Sequence, residues 1–290
     1  MITFDREQKN ALEQGGFLRQ QLISFAKQAA DVTTKRNKRH AYITGTGGAG
    51  KSHSVLQAVK ESGVPHAIIK GQSSLFGMAQ NLAVLKVKHF NEPVIVIIDD
   101  CDKLFADKDS INTMKDLLED GWESGTFTYS KNLHLNSIPE GAKRDAVEVF
   151  MNDNESGFQI DCSNFFFIVT SNMPLPSIQN LEAAAAKLKS GPTTAYIKME
   201  DLHAVRTRTR YNMVNCNREE MWGSIAYVLM NDNGAPNRTE DENMFILDWM
   251  WNNRYKMSEF NVRTAIDMGD LLESIGIEDV KDRWNYDFIN

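Results

Sequence analysis

The chain has 290 residues, 42% of them hydrophobic and 24% charged, enough apolar material for one large core or two smaller ones. A formal net charge of −7 argues against a globally basic nucleic-acid binder, though not against a local basic groove or pore. The scattered cysteines Cys101, Cys162 and Cys216 have neither the C-x-x-C spacing of a zinc site nor the density of a disulfide framework, and they point to a reducing, cytoplasmic setting.

In chain order, the opening MITFDREQKN is too polar for a secretory signal, and no apolar run approaches the length of a membrane span. Residues 1–39 read as a helical lead-in, with Phe17, Leu18, Leu22, Ile23, Phe25 and Ala26 on an apolar face. It closes in a basic run at 35–39 that reads as a solvated linker. Residues 40–215 alternate strand-like and helix-like segments, with strands expected at 41–44, 66–70, 94–98, 164–170 and 211–215. The third and fourth, VIVII and NFFFIVT, are near-continuous apolar runs, as central parallel strands buried on both faces require. The pattern predicts an α/β sandwich with right-handed crossovers. Residues 216–290 contain no strand pair; 217–230, 244–251 and 262–275 read as amphipathic helices of a small helical domain, with a turn at 231–236.

The sharpest local signal is residues 45–52, Gly45-Thr46-Gly47-Gly48-Ala49-Gly50-Lys51-Ser52, an unbroken match to G-x-x-x-x-G-K-[ST]. Glycines let the backbone curl so that its N–H groups point into a concave anion site. Lys51 is expected to reach the β- and γ-phosphates of ATP, and the Ser52 hydroxyl to ligate Mg²⁺. The expected third strand ends in two acids: Asp99 is the candidate for the Mg²⁺ shell, and Asp100 for orienting or activating the attacking water. The expected fourth strand ends at Asn172, which either holds that water or the γ-phosphate, or simply turns the chain before Met173-Pro174. Arg206, Arg208 and Arg210 alternate just before the last strand, either as transition-state cations or as bases favoured at a helix end. Arg263 opens the last expected helix, folding back onto the phosphates or pairing with Glu259 or Asp267.

In this order the motifs resemble the AAA+ ATPases over about residues 40–275. Residues 45–52 resemble Walker A, Asp99-Asp100 Walker B, Asn172 sensor 1, residues 204–208 the arginine-finger helix end, and Arg263 sensor 2. The resemblance implies a P-loop NTPase core, a five-stranded parallel sheet flanked by helices, at 40–215 with a helical lid at 216–290. It also implies a homo-oligomeric ring, often a hexamer, with ATP and Mg²⁺ between subunits. Arg208 is the expected finger and Arg210 its reserve. Where most members end Walker B in Asp-Glu, this chain has Asp-Asp; the shorter Asp100 implies slow hydrolysis or a share of the role for Asp102.

An insert at about 126–160 separates Walker B from sensor 1, and its ends alternate so that they can pair as a ribbon. It carries Lys131, His134, Lys143 and Arg144, and its placement resembles the pore hairpin of some clades, although it reads equally as a surface elaboration with no ligand. Leu75-Phe76-Gly77 occupies a pore-loop position, although Phe76 also reads as a packing residue at a helix start. The expected activity is an ATP-driven ring on nucleic acid, such as a helicase loader, a packaging accessory or a translocase. The alternatives are a protein remodeller and a slow, ATP-gated scaffold. Ile98-Asp99-Asp100-Cys101-Asp102 is similar to phrases in bacteriophage-encoded ATPases, which would place the chain in a host cytoplasm.

Overall fold

The uninterrupted apolar runs become the middle of a sheet. In the computed structural model, which describes residues 3–34, 38–71, 74–119, 125–129, 138–151, 158–188, 192–231 and 238–289, five strands form one parallel sheet. They are β1 (Ala41–Gly45), β2 (His66–Lys70), β3 (Val94–Asp99), β6 (Phe165–Thr170) and β7 (Arg210–Val214), in the order β2-β3-β6-β1-β7. Each lies within one residue of its expected bounds. Every residue of β3 is buried, as a strand covered on both faces demands, whereas edge strand β2 buries only Ile69. The register pairs Lys70 with Asp99, Asp99 with Thr170, and Thr170 with Ile43, so these residues stand in one row near the carboxyl ends of four strands.

The chain divides into two compact units, one comprising Met1–Phe25, Gly45–Ser54 and Val214–Asn290, the other Ala26–Thr44 and Val55–Met213. The second holds nearly all of the sheet. Its core gathers Tyr42, Met78, Leu82, Val96, Ile98, Phe105, Phe165 and Phe167, all at most 1% exposed. α3 (Leu75–Lys88), α4 (Lys108–Leu117), α6 (Ile178–Ala185) and α7 (Thr194–Arg208) belong to this unit, and α4 packs on α7. From their sequence, residues 114–122 read as a helix between the third and fourth expected strands. It begins instead at Lys108, because Asp107 caps it by accepting from the Ser110 amide at 3.0 Å, and it ends at Leu117. Residues 120–124 lie outside the described residues.

The ends of the insert do pair. β4 (Thr126–Tyr129) runs antiparallel to β5 (Phe158–Asp161), with Phe127 opposite Ile160, and both of these side chains are buried. Between them α5 (Ala142–Val149) packs on α3, an element the sequence pattern does not announce. Phe76 packs against this core and tilts over Tyr129 at 5.7 Å, in keeping with its reading as a packing residue. Lys131 and His134 lie outside the described residues, as do 35–37 of the basic run and 232–236 of the turn.

The first unit is helical around the glycine-rich loop at 45–52. It contains most of α1 (Arg6–Ala30), the first residues of α2 (Lys51–Ser62), and α8 (Arg218–Asn231), α9 (Glu240–Asn253), α10 (Val262–Ile275) and α11 (Val280–Phe288). Tryptophans organise its core: Trp222 meets Trp251 edge-on at 5.0 Å and donates to the Leu247 carbonyl, while Trp284 donates to Met268. The apolar face expected for α1 needs correction. Leu22 and Ala26 are buried as expected, but Phe17 is 60% exposed, and Gln8, Ala11, Gly15 and Arg19 complete the buried stripe. No helix among the described residues is long and apolar enough to cross a membrane.

The small residues in that stripe bring two backbones together. A Cβ at Gly223 of α8 would stand 1.8 Å from the Ala11 carbonyl oxygen, and one at Gly15 would stand 2.3 Å from the Ser224 nitrogen. Gly223→Ala therefore forces α1 and α8 apart, and a loss of about 1–3 kcal/mol is expected, the usual cost of overpacking. A denaturant midpoint equal to that of the wild type would show that the two helices do not meet this closely.

Candidate nucleotide site

The loop after β1 is built so that several of its positions exclude a side chain. Gly45 has φ +131°, and a Cβ there would stand 1.9 Å from the Val214 carbonyl oxygen, which itself accepts from the Thr46 amide at 2.9 Å. Gly48 has φ +75° with Asn261 2.1 Å from its would-be Cβ, and Gly50 has φ +79° with the Arg19 guanidinium equally close. Gly47 faces open space and has no such constraint. Thr46 is anchored by its hydroxyl, which accepts from the Cys216 amide at 3.1 Å, and Ala49 is buried. α2 opens at Lys51, as the motif requires. The Lys51 side chain bends back across the loop, and Nζ donates to the Gly45 and Thr46 carbonyls at 3.0 and 2.9 Å. A nearly buried ammonium is thus fixed over a ring of backbone groups, with Ser52 half-buried in the first turn of the helix.

Two segments distant in sequence close on this loop within the same unit. Asn261 caps α10 by accepting from the Thr264 amide at 3.1 Å, and the same side chain abuts Gly48. The start of α10 therefore lies beside the loop, and exposed Arg263 is in its first turn. Among the described residues no ion pair joins Arg263 to Glu259 or Asp267. A cavity of about 300 Å³ opens next to Thr46, lined by Cys216, Asn217, Arg218, Met221 and Phe260. Its wall pairs an aromatic face with a cation: the Arg218 guanidinium stands 5.3 Å from the Phe260 ring and donates to the Met257 carbonyl. Burial pushes the Cys216 thiol up to about 11, aided by nearby Glu220 and opposed by Lys51, so it stays protonated at neutral pH.

The other unit carries the acids. Asp99 is nearly buried; Oδ1 accepts from the Thr170 hydroxyl at 2.5 Å, and Oδ2 lies 3.7 Å from Lys70 Nζ. Thr170 is its cross-strand neighbour, so the sheet register itself orients this carboxylate. Asp100 is exposed and left-handed at φ +52°, a conformation Asp tolerates better than most residues, while its amide bonds the Thr170 carbonyl. Asp102 is held by its carboxylate, which accepts from the buried Ser171 hydroxyl at 2.6 Å. Ser171 in turn accepts from the Met173 amide, so this network brackets exposed Asn172 at the end of β6. Two orders of carboxylate result, one fixed at the strand end and one fixed through the serine that precedes Asn172.

The three arginines have separate anchorages. Arg206 donates to the Leu175 carbonyl at 2.7 Å and stacks 3.8 Å over Tyr211. Arg208, the last residue of α7, pairs with Glu119 at 2.5 Å. Arg210 donates to the Gln28 carbonyl at 3.0 Å, near the end of α1. Sequence reasoning singled these arginines out but did not find Glu119, nor Arg19, Asn261 and Phe260 around the loop. A buried arginine carries no apolar signal, and Asn261 announces itself only as a helix cap.

Among the described residues no group of three or more His, Cys, Asp or Glu side chains is arranged to hold a metal ion. Compared with models of known protein families and with curated protein sequences, the chain matches none, and the chemistry of the site rests on its own residues.

Proposed function

We propose that the chain binds ATP with Mg²⁺ and hydrolyses it, as an ATPase of the AAA+ type. The observation that carries this reading is the loop itself. Gly45, Gly48 and Gly50 adopt left-handed backbone that neighbours bar to any side chain, and they hand the chain to a helix opening with Lys51 and Ser52. Such a cradle fits a polyphosphate: backbone amides and the helix start attract the anion, and Lys51 adds a fixed cation. Ser52 and Asp99 would hold Mg²⁺, which supplies neutralisation of charge on the phosphates when bound. The cavity beside Thr46, with Phe260 and Met221 in its wall, suits an aromatic base.

The AAA+ assignment is favoured over P-loop proteins in general by three features. The strand order is β2-β3-β6-β1-β7, a helical unit follows the sheet in sequence, and α10 starts against Gly48 with Arg263 in its first turn. In this reading Asp100 or Asp102 orients the attacking water, Asn172 positions it, Arg263 steadies the phosphates, and Arg208 acts on a neighbour's nucleotide in a homo-oligomeric ring, hexameric by resemblance. The ring is proposed to work on nucleic acid in a cytoplasm, a host's if the chain is phage-encoded. Lys143 and Arg144 of α5 are the described basic residues of the insert that support that client.

Steady-state hydrolysis tests the reading. Wild-type turnover is expected to require Mg²⁺ and to rise when DNA is added at low salt. Asp99→Asn is expected to raise the Mg²⁺ concentration for half-maximal activity about 10- to 100-fold, the range for losing one charged hydrogen-bonding partner. Mg²⁺-independent turnover, or an Asp99→Asn curve overlying that of the wild type, would remove Asp99 from the metal shell.

A further inference from the structure

Arg19 is the most deeply buried cation beside the loop, at 2% exposure. It comes from the middle of α1, 31 residues before the glycine it touches. Burying a guanidinium costs much more than burying an alkyl side chain unless its protons find acceptors, so an apolar residue would fill this place more cheaply if packing were all it did. Its Nη1 donates to the Gly50 carbonyl at 3.2 Å. That carbonyl is where the loop becomes a helix: it also accepts from the Ser54 amide at 2.9 Å and the Ser54 hydroxyl at 3.0 Å. Gly50 is left-handed at φ +79°, which favours glycine, and its Cα side packs so closely on Arg19 that a Cβ there would meet Nη1 at 2.1 Å.

We propose that Arg19 is a positioning residue of the nucleotide site, acting through Gly50 rather than on the nucleotide. It clamps the junction from which Lys51, Ser52 and the first amides of α2 project, so their direction depends on a helix outside the loop motif. α1 is braced for this task by its close contact with α8 at Gly15 and Gly223. Arg19 is thus held by a rigid element, as a group that orients a phosphate cradle must be. The inference rests on reading the loop as an ATP site, and it deepens that reading by making α1 part of the site.

The test compares the full-length wild type, Arg19→Lys and Arg19→Met. ATP·Mg²⁺ affinity is measured by titration. Amide hydrogen exchange is measured without nucleotide over residues 51–54, with Glu240–Asn253 of α9 as the internal control. Arg19→Met is expected to weaken ATP binding on the order of 10- to 100-fold, the effect of losing a charge-assisted bond. Arg19→Lys, which keeps the charge but not the fork, should recover part of that loss. Exchange at 51–54 should quicken in both variants while α9 is unchanged. Wild-type affinity in both variants, or faster exchange spread equally over α9, overturns the positioning role. Should Arg19→Met fail to fold, Arg19→Lys decides by the same two readouts. Failure of the ATP reading is distinguishable: the wild type then binds no ATP, and exchange at 51–54 alone reports whether Arg19 clamps Gly50.

Discussion

Lys51→Ala is expected to lower ATP turnover on the order of 10²- to 10³-fold and to remove most ATP binding, the scale set by deleting one preorganised charged donor from a transition-state site. Lys51 is 6% exposed, and its ammonium is fixed by the Gly45 and Thr46 carbonyls. A cation held in place beforehand needs no reorganisation when phosphates arrive, and it acts through a medium less polar than water. The same two bonds complicate the variant, because alanine leaves both carbonyls without this donor. Thermal unfolding in the absence of nucleotide separates the effects. A melting temperature near that of the wild type with binding lost assigns Lys51 to the nucleotide. A large fall in melting temperature assigns it to the loop's own stability. Binding and turnover both equal to wild type would take the phosphate site away from residues 45–52.

The elements that could be read from the sequence are those whose physics is local. VIVII and FFFIV announce central strands, because a parallel strand covered on both faces has no polar side to show, and both runs stand where the sheet needs them. The loop was legible for a related reason: positive φ at Gly45, Gly48 and Gly50 leaves few other residues available. The partners of that loop were not legible. Hydropathy treats Arg19 as an outward-facing residue and Phe17 as an inward one, and the structure reverses both. The reversal comes from small residues, Ala11 and Gly15 against Gly223, which bury α1 by close backbone approach rather than by bulk. The pairing of Asp102 with Ser171 joins residues 69 apart through sheet register, which no sequence window contains. α5 stayed hidden because a short helix has too few turns to establish a period.

Arg208 is where the proposed ring meets the structure most sharply. It sits at the carboxyl end of α7, pairs there with Glu119, and at 29% exposure can exchange that partner for another anion. Two roles compete. As a surface ion pair it contributes at most about 1 kcal/mol of stability, and its loss would leave catalysis alone. As a cation completing a neighbour's site, its loss costs on the order of 10³-fold in turnover with ATP binding unchanged. Arg208→Ala is expected to show the second pattern. Glu119→Gln breaks the same pair while sparing the guanidinium, so it should keep turnover within a few-fold of the wild type. If Glu119→Gln is as slow as Arg208→Ala, the pair itself matters, and Arg208 does not act in trans. Mixing then tests the shared site directly. Arg208→Ala supplies an intact loop and Lys51→Ala an intact arginine, so a mixture should regain turnover that neither shows alone. Arg210, tied to the Gln28 carbonyl, should not substitute for Arg208 in such mixtures. A mixture no faster than its components, or full activity at the light-scattering mass of one subunit, would leave each chain with a site complete in itself.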